Sequence, residues 1–86
     1  MKVVLFTSAF CEPCIRTRAV LAEVSRIVPN ARVIERDIVA DITDAQRADI
    51  RSTPTAIVLR DDDTEVFRAE GVPTVNQVLA ALAQAL

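Results

Sequence analysis

The chain carries two cysteines, and only two residues separate Cys11 from Cys14. Thiols at this spacing can exchange with a disulfide, because one thiolate attacks it and the second thiol releases the product. The chain has no histidine, which excludes a Ser-His or Cys-His catalytic pair and any histidine metal site. Its single glycine, Gly71, excludes the glycine-rich turns that hold nucleotide phosphates. The chemistry of the 86 residues therefore depends on thiols, carboxylates and hydroxyls, and the pattern implies no bound cofactor.

The cysteine pair stands between a predicted strand and a predicted helix. Val3 to Thr7 is a short apolar run rich in β-branched residues, which is typical of a strand covered on both faces. Pro13 fits the first turn of a helix, where a missing N–H costs nothing. A helix N-terminus carries partial positive charge, which stabilises a thiolate and lowers its pKa from about 8.5. We therefore expect Cys11 to be the nucleophile, and Cys14, one turn further on and more buried, to resolve the mixed disulfide.

Charged residues beside the pair act in opposite directions. Glu12 opposes a thiolate at Cys11, whereas Arg16 and Arg18 favour one, and the sequence leaves the balance open. Pro13 stiffens the loop and holds the two sulfurs near bonding distance.

Residues that flank the cysteines are candidates for contact with a substrate. We expect Phe10, Glu12 and Pro13 to line the binding surface. Ile15 falls outside the apolar stripe of its helix, so that it and Phe10 form a candidate apolar rim for a partner. The alternative is that they are isolated exposed apolar residues, which are common on protein surfaces.

A lone pair of cysteines has other interpretations. A zinc site within one chain needs two more ligands, which the chain lacks, although a symmetric dimer would supply four cysteines for zinc or an iron–sulfur cluster. A structural disulfide across so short a loop gives little entropic stabilisation. An inert pair of buried thiols is the remaining alternative. Thiol–disulfide exchange is favoured over all of these, with no metal site in the single chain.

A second segment of interest contains Thr53 and Pro54 at the start of a predicted buried strand. Proline is unusual there, because it cannot donate to a strand ladder. A cis Thr53–Pro54 bond in a tight turn is one explanation. An ordinary trans proline that begins an edge strand is the other, and the local sequence alone favours it.

Periodicity along the chain predicts the order β-α-β-α-β-β-α within a single domain over residues 1–86. The apolar stripes of the two longer helices consist of Thr17, Val20, Leu21, Val24, Ile27 and Val28, and of Val75, Val78, Leu79, Leu82, Ala83 and Leu86. Capping boxes are predicted at Thr43/Gln46 and Thr74/Gln77, the first opening a short helix to about Asp49. The further strands are predicted over Ala31–Asp37, Thr55–Leu59 and Glu65–Ala69, the last two joined in a hairpin by a turn at 61–64.

This order predicts an α/β fold. A strand–helix–strand unit should cross over with the right hand and leave its strands parallel, whereas the later hairpin is antiparallel. The result is a mixed four-stranded sheet with helices on both faces.

The segments 6–14, 50–55 and 71–73 together resemble the thioredoxin/glutaredoxin superfamily, and most closely its short prokaryotic glutaredoxin-like thioredoxins. The resemblance covers nearly the whole chain and implies the thioredoxin fold and a redox-active dithiol that reduces protein disulfides. It further implies that Pro54 is cis and lies beside the cysteines, and that the backbone of Thr53 pairs with a substrate peptide. A flavin- and NADPH-dependent disulfide reductase is the implied electron donor.

The chain departs from the family pattern at several positions. Phe10 stands where thioredoxins usually carry Trp, and Leu5 stands where they bury an acid six residues before the first cysteine. Glutaredoxins carry an active-site tyrosine and a Gly-Gly segment that binds glutathione. The sequence Gly71-Val72-Pro73-Thr74 does not match that segment, which argues against a specific glutathione site but leaves glutathione dependence as an alternative.

Composition limits the compartment and the partners. Ten basic and twelve acidic residues give a net charge of −2, which argues against a nucleic-acid surface. No apolar run approaches the roughly 20 residues of a membrane span. The apolar stretch at the start of the chain is also too short for a signal peptide. We therefore expect a cytoplasmic monomer whose partners are disulfide-containing proteins and a reductase, without nucleic acid or membrane.

Overall fold

Seven elements follow one another in the predicted order. The computed structural model describes residues 1–86. The elements are β1 (Lys2–Thr7), α1 (Glu12–Ile27), β2 (Arg32–Asp37), α2 (Ile42–Arg47), β3 (Thr55–Leu59), β4 (Glu65–Glu70) and α3 (Val75–Gln84). No helix is long and apolar enough to cross a bilayer.

The four strands form one mixed sheet in the order β2-β1-β3-β4. β1 pairs with β2 in parallel, with Leu5 opposite Glu35. β1 and β4 both pair with β3 in antiparallel fashion. The predicted parallel pair and antiparallel hairpin are therefore confirmed, because α1 joins the parallel strands β1 and β2 and a tight turn joins β3 to β4.

Helices cover both faces of the sheet, which explains the unbroken apolar run of β1. Because successive side chains of a strand point to opposite faces, Val3 and Leu5 join the larger core beneath α1 and α3. Phe6 faces the other side, where it packs with Ala45 of α2 and Ile57 of β3. The predicted α/β architecture with helices on both faces is confirmed.

The start of α2 differs from the predicted capping box at Thr43 and Gln46. The N-cap is Asp41, and no side chain bonds to the first turn of this helix. The carboxylate of Asp37 instead accepts the N–H groups of Val39 and Ala40 at 2.8 and 3.0 Å. The chain therefore turns directly after β2, and the helix begins before Thr43 is reached.

The predicted stripe of α3 is correct at Val78 and Leu82 but wrong at its end. The helix ends at Gln84, so Leu86 lies beyond it and is exposed, as is Ala83. Ala81 and Ala85 are buried instead, since they follow Val78 at helical spacing. The predicted stripe of α1 is likewise wrong at Ile27. This is the last residue of the helix, and half of its surface is exposed. The capping box at Thr74 and Gln77 is confirmed, with both reciprocal hydrogen bonds present.

Candidate functional site

The two cysteines lie where β1 ends and α1 begins, and they differ sharply in exposure. Cys11 is the N-cap residue of α1, and its Sγ accepts the backbone N–H of Cys14 at 3.1 Å. Cys11 is half-buried, whereas Cys14 is completely buried in the first turn of the helix. Their sulfurs are joined in a disulfide. Only Cys11 is therefore accessible to a partner, and a helix N–H already points at its sulfur.

Phe10, directly before the nucleophile, holds an unusual backbone conformation. Its φ is +57°, in the left-handed region that costs a residue with a side chain roughly 1–2 kcal/mol. Its ring is fully exposed, as is most of Ile15 on the first turn of α1. Both residues border an open depression of about 360 Å³ beside Cys11. The predicted apolar rim is thus present next to the accessible sulfur.

The loop that contains Pro54 is tied to the segment before the cysteines. The Thr53–Pro54 bond is cis, so the interpretation that the local sequence favoured was wrong and the one implied by the resemblance is confirmed. The hydroxyls of Ser8 and Thr53 lie 2.6 Å apart and share a hydrogen bond. The Thr55 hydroxyl donates to the carbonyl of Ser52 at 2.7 Å and closes the loop on itself.

The segment 71–73 lies against the loop that contains Pro54. The N–H of Gly71 donates to the carbonyl of Pro54 at 2.9 Å. Gly71 has a φ of +104°, which L side chains rarely adopt, so glycine is required at this turn. The fold therefore brings together the three segments that lie some 20 to 60 residues apart in the sequence.

The predicted substrate-contacting residues fall into two groups. Phe10 and Glu12 are exposed beside Cys11, and Pro13 is half-buried in the first turn of α1. Thr53 is half-buried and Pro54 is buried in the opposing loop.

Leu5 is buried in the core, so the position where thioredoxins bury an acid contributes only apolar contact. The nearest carboxylate in the sheet register is that of Glu35, on the neighbouring strand β2. Arg18 donates to it from Nε and Nη2 at 2.8 and 2.9 Å, and the buried Thr7 hydroxyl donates at 3.1 Å. These hydrogen bonds, that of Arg18 above all, hold the pKa of Glu35 below its ordinary value. The charge of Arg18 is thus turned towards β2.

Replacing Glu35 with Gln is expected to weaken the fold only where the carboxylate is ionised. The pKa of Glu35 is lowered in the folded state, so its stabilisation is present above the ordinary value of 4.5 and is lost as the pH falls through the lower folded value. For an ion pair this exposed, the stabilisation is at most about 1 kcal/mol. Urea unfolding of wild type and Glu35→Gln should differ at pH 7 and converge in acid. Arg18→Gln should behave alike, and an additive double variant would contradict the pairing.

Glu12 and Arg16 also form a pair on the first turns of α1. Arg16 Nε lies 3.2 Å from the carboxylate of Glu12, and both side chains are largely exposed. The two charges therefore act on Cys11 together. Glu12 places a negative charge next to the sulfur, and Arg16 places a positive charge one helical turn beyond it.

Removing either charge of this pair is expected to shift the pKa of reduced Cys11 in opposite directions. Glu12→Gln should lower it and Arg16→Gln should raise it. Charges at a helix end contribute about 0.3–1 kcal/mol, which corresponds to roughly 0.2–0.7 of a pH unit. The ultraviolet absorbance of the thiolate during a pH titration measures the change. Arg26→Gln removes a charge from the last turn of the same helix and serves as the control. Equal titration curves for all three variants would contradict this account.

Comparison with known proteins decides the family. The sequence model of the family described as Thioredoxin matches residues 1–84. The chain belongs to the thioredoxin family. For a thioredoxin family member, the buried Cys14 behind the accessible Cys11 supports thiol–disulfide oxidoreductase chemistry at this site. A search of curated proteins finds no match.

Solved structures agree with the thioredoxin fold. A thioredoxin-2 of the malaria parasite superposes with a TM-score of 0.87 at 18% identity over 96% of this chain and 81% of its own. Thioredoxin 1 of Thermosipho africanus gives 0.82 at 17% identity over 98% and 92%. Fasciola hepatica thioredoxin gives 0.84 at 19% identity over 99% and 80%. At these identities the likeness establishes the fold.

Some residues of this thioredoxin site have no signal in the sequence. No local pattern links Ser8 to Thr53, which lie 45 positions apart and share a hydrogen bond. The contact of Thr7 with Glu35 depends on the register of β1 and β2, which no local pattern reveals. Gly71 is the exception, since a single glycine before a proline-containing turn could have indicated a positive φ.

Proposed function

We propose that this protein reduces disulfides in other proteins by a dithiol mechanism. Cys11 is the attacking thiol and Cys14 the resolving thiol. The observation that supports these roles is the difference in exposure: Cys11 is reachable at the N-cap, whereas Cys14 is fully buried directly behind it. A large substrate can therefore reach one sulfur but not the other.

The reaction begins with the reduced protein. The Cys11 thiolate, stabilised by the N-terminus of α1 and the N–H of Cys14, attacks one sulfur of the substrate disulfide. The substrate S–S bond breaks, and its second sulfur leaves as a thiolate that takes up a proton. Cys11 is then bound to the substrate in a mixed disulfide.

Resolution completes the transfer of two electrons. The Cys14 thiol loses its proton and its thiolate attacks Cys11 Sγ, which forms the Cys11–Cys14 disulfide and releases the substrate sulfur as a second thiolate. That thiolate also takes up a proton, so the substrate gains two protons and two electrons. Because Leu5 offers no carboxylate, the proton of the buried Cys14 passes to a water molecule or to a more distant group.

The loop of Thr53 and Pro54 offers a place for the substrate backbone. The N–H and C=O of Thr53 make no hydrogen bond within the chain. The carbonyls on either side are paired, because that of Ser52 accepts the Thr55 hydroxyl and that of Pro54 accepts the N–H of Gly71. Unpaired backbone groups at the end of a sheet bind an extended peptide as an added strand. Phe10 then borders the substrate on the other side of Cys11. Glu12 and Pro13 lie between these two surfaces.

The source of electrons is tested by insulin reduction with two separate donors. We propose a flavin- and NADPH-dependent thioredoxin reductase, and we expect NADPH consumption with insulin only when reductase and this protein are both present. Cys11→Ser is the control, which removes the attacking thiol. Turnover with glutathione and glutathione reductase alone would assign the protein to the glutathione-dependent class instead.

A further inference from the structure

The backbone ladder between β1 and β3 ends before it reaches the cysteines. Its last paired residues are Phe6 and Thr55. Pro54, which precedes Thr55, has no N–H to donate and cannot extend the ladder. No backbone hydrogen bond joins the segment 8–11, at the cysteines, to the segment 50–54. The sheet alone therefore does not fix the distance between the attacking cysteine and the proline loop.

One side-chain hydrogen bond spans this gap. Extended by two residues, the register of β1 and β3 sets Ser8 opposite Thr53. Their hydroxyl oxygens lie 2.6 Å apart, at the short end of the ordinary range, and both residues are half-buried. This is the only hydrogen bond between the segments 8–11 and 50–54. The Ser8 hydroxyl therefore sets the position of Thr53 relative to Cys11.

The bond between Ser8 and Thr53 also lies where two surface depressions meet. Ser8 lines the depression of about 360 Å³ that contains Cys11. Thr53 lines a second one of about 300 Å³, between its own loop and α2. A peptide that extends from Cys11 along the unpaired backbone of Thr53 passes over the boundary between them. The bond is thus beside the path of a substrate.

We propose that Ser8 is a positioning residue for protein substrates, an inference that rests on the proposed function. Its hydroxyl holds the Thr53 side chain, so that the free N–H and C=O of Thr53 stay at a fixed distance from Cys11 Sγ. A peptide bound to these groups then presents its disulfide to the thiolate in the geometry that attack requires. Small misplacements of reacting groups reduce rates strongly. Without the bond, Cys11 keeps its reactivity but a bound peptide is aligned less well.

Single-turnover reduction by the fully reduced protein separates alignment from reactivity. The two probes are insulin, whose disulfides lie within a peptide backbone, and hydroxyethyl disulfide, which has no such backbone. Acid quenching, alkylation of free thiols and mass spectrometry give the rates. Ser8→Ala should lower the rate constant with insulin about fivefold, the equivalent of one hydrogen bond of average strength, and leave that with hydroxyethyl disulfide unchanged. Ser25→Ala removes a hydroxyl from the C-terminal half of α1 and is the matched control.

Thr53→Val removes the other hydroxyl of the bond and keeps the shape of the side chain. It should lower the insulin rate by the same factor as Ser8→Ala. The double variant should be no slower than either single variant, because one and the same bond is lost in all three. Ser8→Thr keeps a hydroxyl and should restore the insulin rate. Circular dichroism confirms that each variant is folded.

Two results would overturn the role of Ser8 while leaving the proposed function intact. One is reduction of insulin by Ser8→Ala at the wild-type rate. The other is an equal loss of rate with hydroxyethyl disulfide, which would place the effect on the reactivity of Cys11 itself. A wild-type protein that leaves insulin intact would instead overturn the proposed function and this inference together.

Discussion

Cys14→Ser is expected to convert the protein from a catalyst of disulfide exchange into a trap for its substrates. Cys11 still attacks, but nothing within the chain releases the mixed disulfide. A well-placed intramolecular group acts with effective concentrations far above those of free thiols in solution, so turnover should fall on the order of 10³-fold or more. Non-reducing electrophoresis and mass spectrometry of the variant incubated with disulfide-containing protein should show a covalent adduct on Cys11.

Cys11→Ser is the matched control for the trap. It leaves Cys14 as the single thiol, and the complete burial of that side chain keeps it from a protein substrate. We expect neither adduct nor turnover from this variant. Adducts on Cys14 of Cys11→Ser, with none on Cys11 of Cys14→Ser, would show that the two roles are reversed.

Leu5→Asp is expected to remove a large part of the stability of the fold. The Leu5 side chain is 1% exposed in the core between β1, α1 and α3, so the change both removes apolar contact and buries a polar group. Together these effects amount to roughly 3–5 kcal/mol. A domain of this size has a total stability of only about 4–13 kcal/mol. Urea unfolding at neutral pH measures the loss.

The pH dependence of this variant separates burial of charge from loss of contact. Burial disfavours the carboxylate and raises its pKa above the ordinary value of about 3.9. The variant should therefore be least destabilised below a pH of about 3.9, where the carboxyl is protonated in both states. Its stability should then be lost as the pH rises through the raised pKa of the folded state. Leu5→Asn has the same shape without titration and should show a pH-independent deficit relative to wild type. Near-wild-type stability of Leu5→Asp at pH 7 would contradict the placement of Leu5 in the core.

Elements with strong periodicity could be predicted from the sequence, because one physical signal dominates each of them. The apolar run of β1 and the stripe of α1 around Leu21 and Val24 both report burial directly. Thr74 and Gln77 form the predicted capping box, with both reciprocal hydrogen bonds present. At Thr43 the same pattern failed, because the carboxylate of Asp37 turned the chain first.

Long-range features of the site could not be predicted from local patterns. The pairing of Arg18 with Glu35 requires the register of β1 against β2 and the packing of α1 across it. The hydrogen bond between Ser8 and Thr53 requires two loops to meet at one end of the sheet. The cis bond before Pro54 was indicated only by the family resemblance, since the local sequence favoured trans.

We propose that the Cys11–Cys14 pair passes electrons to protein disulfides. The most direct test of this proposal is the rate of insulin precipitation by dithiothreitol with and without a small molar fraction of this protein. We expect the wild-type protein to accelerate precipitation well above the rate with dithiothreitol alone, whereas Cys11→Ser should leave that rate unchanged. A wild-type rate equal to that of Cys11→Ser would contradict the claim.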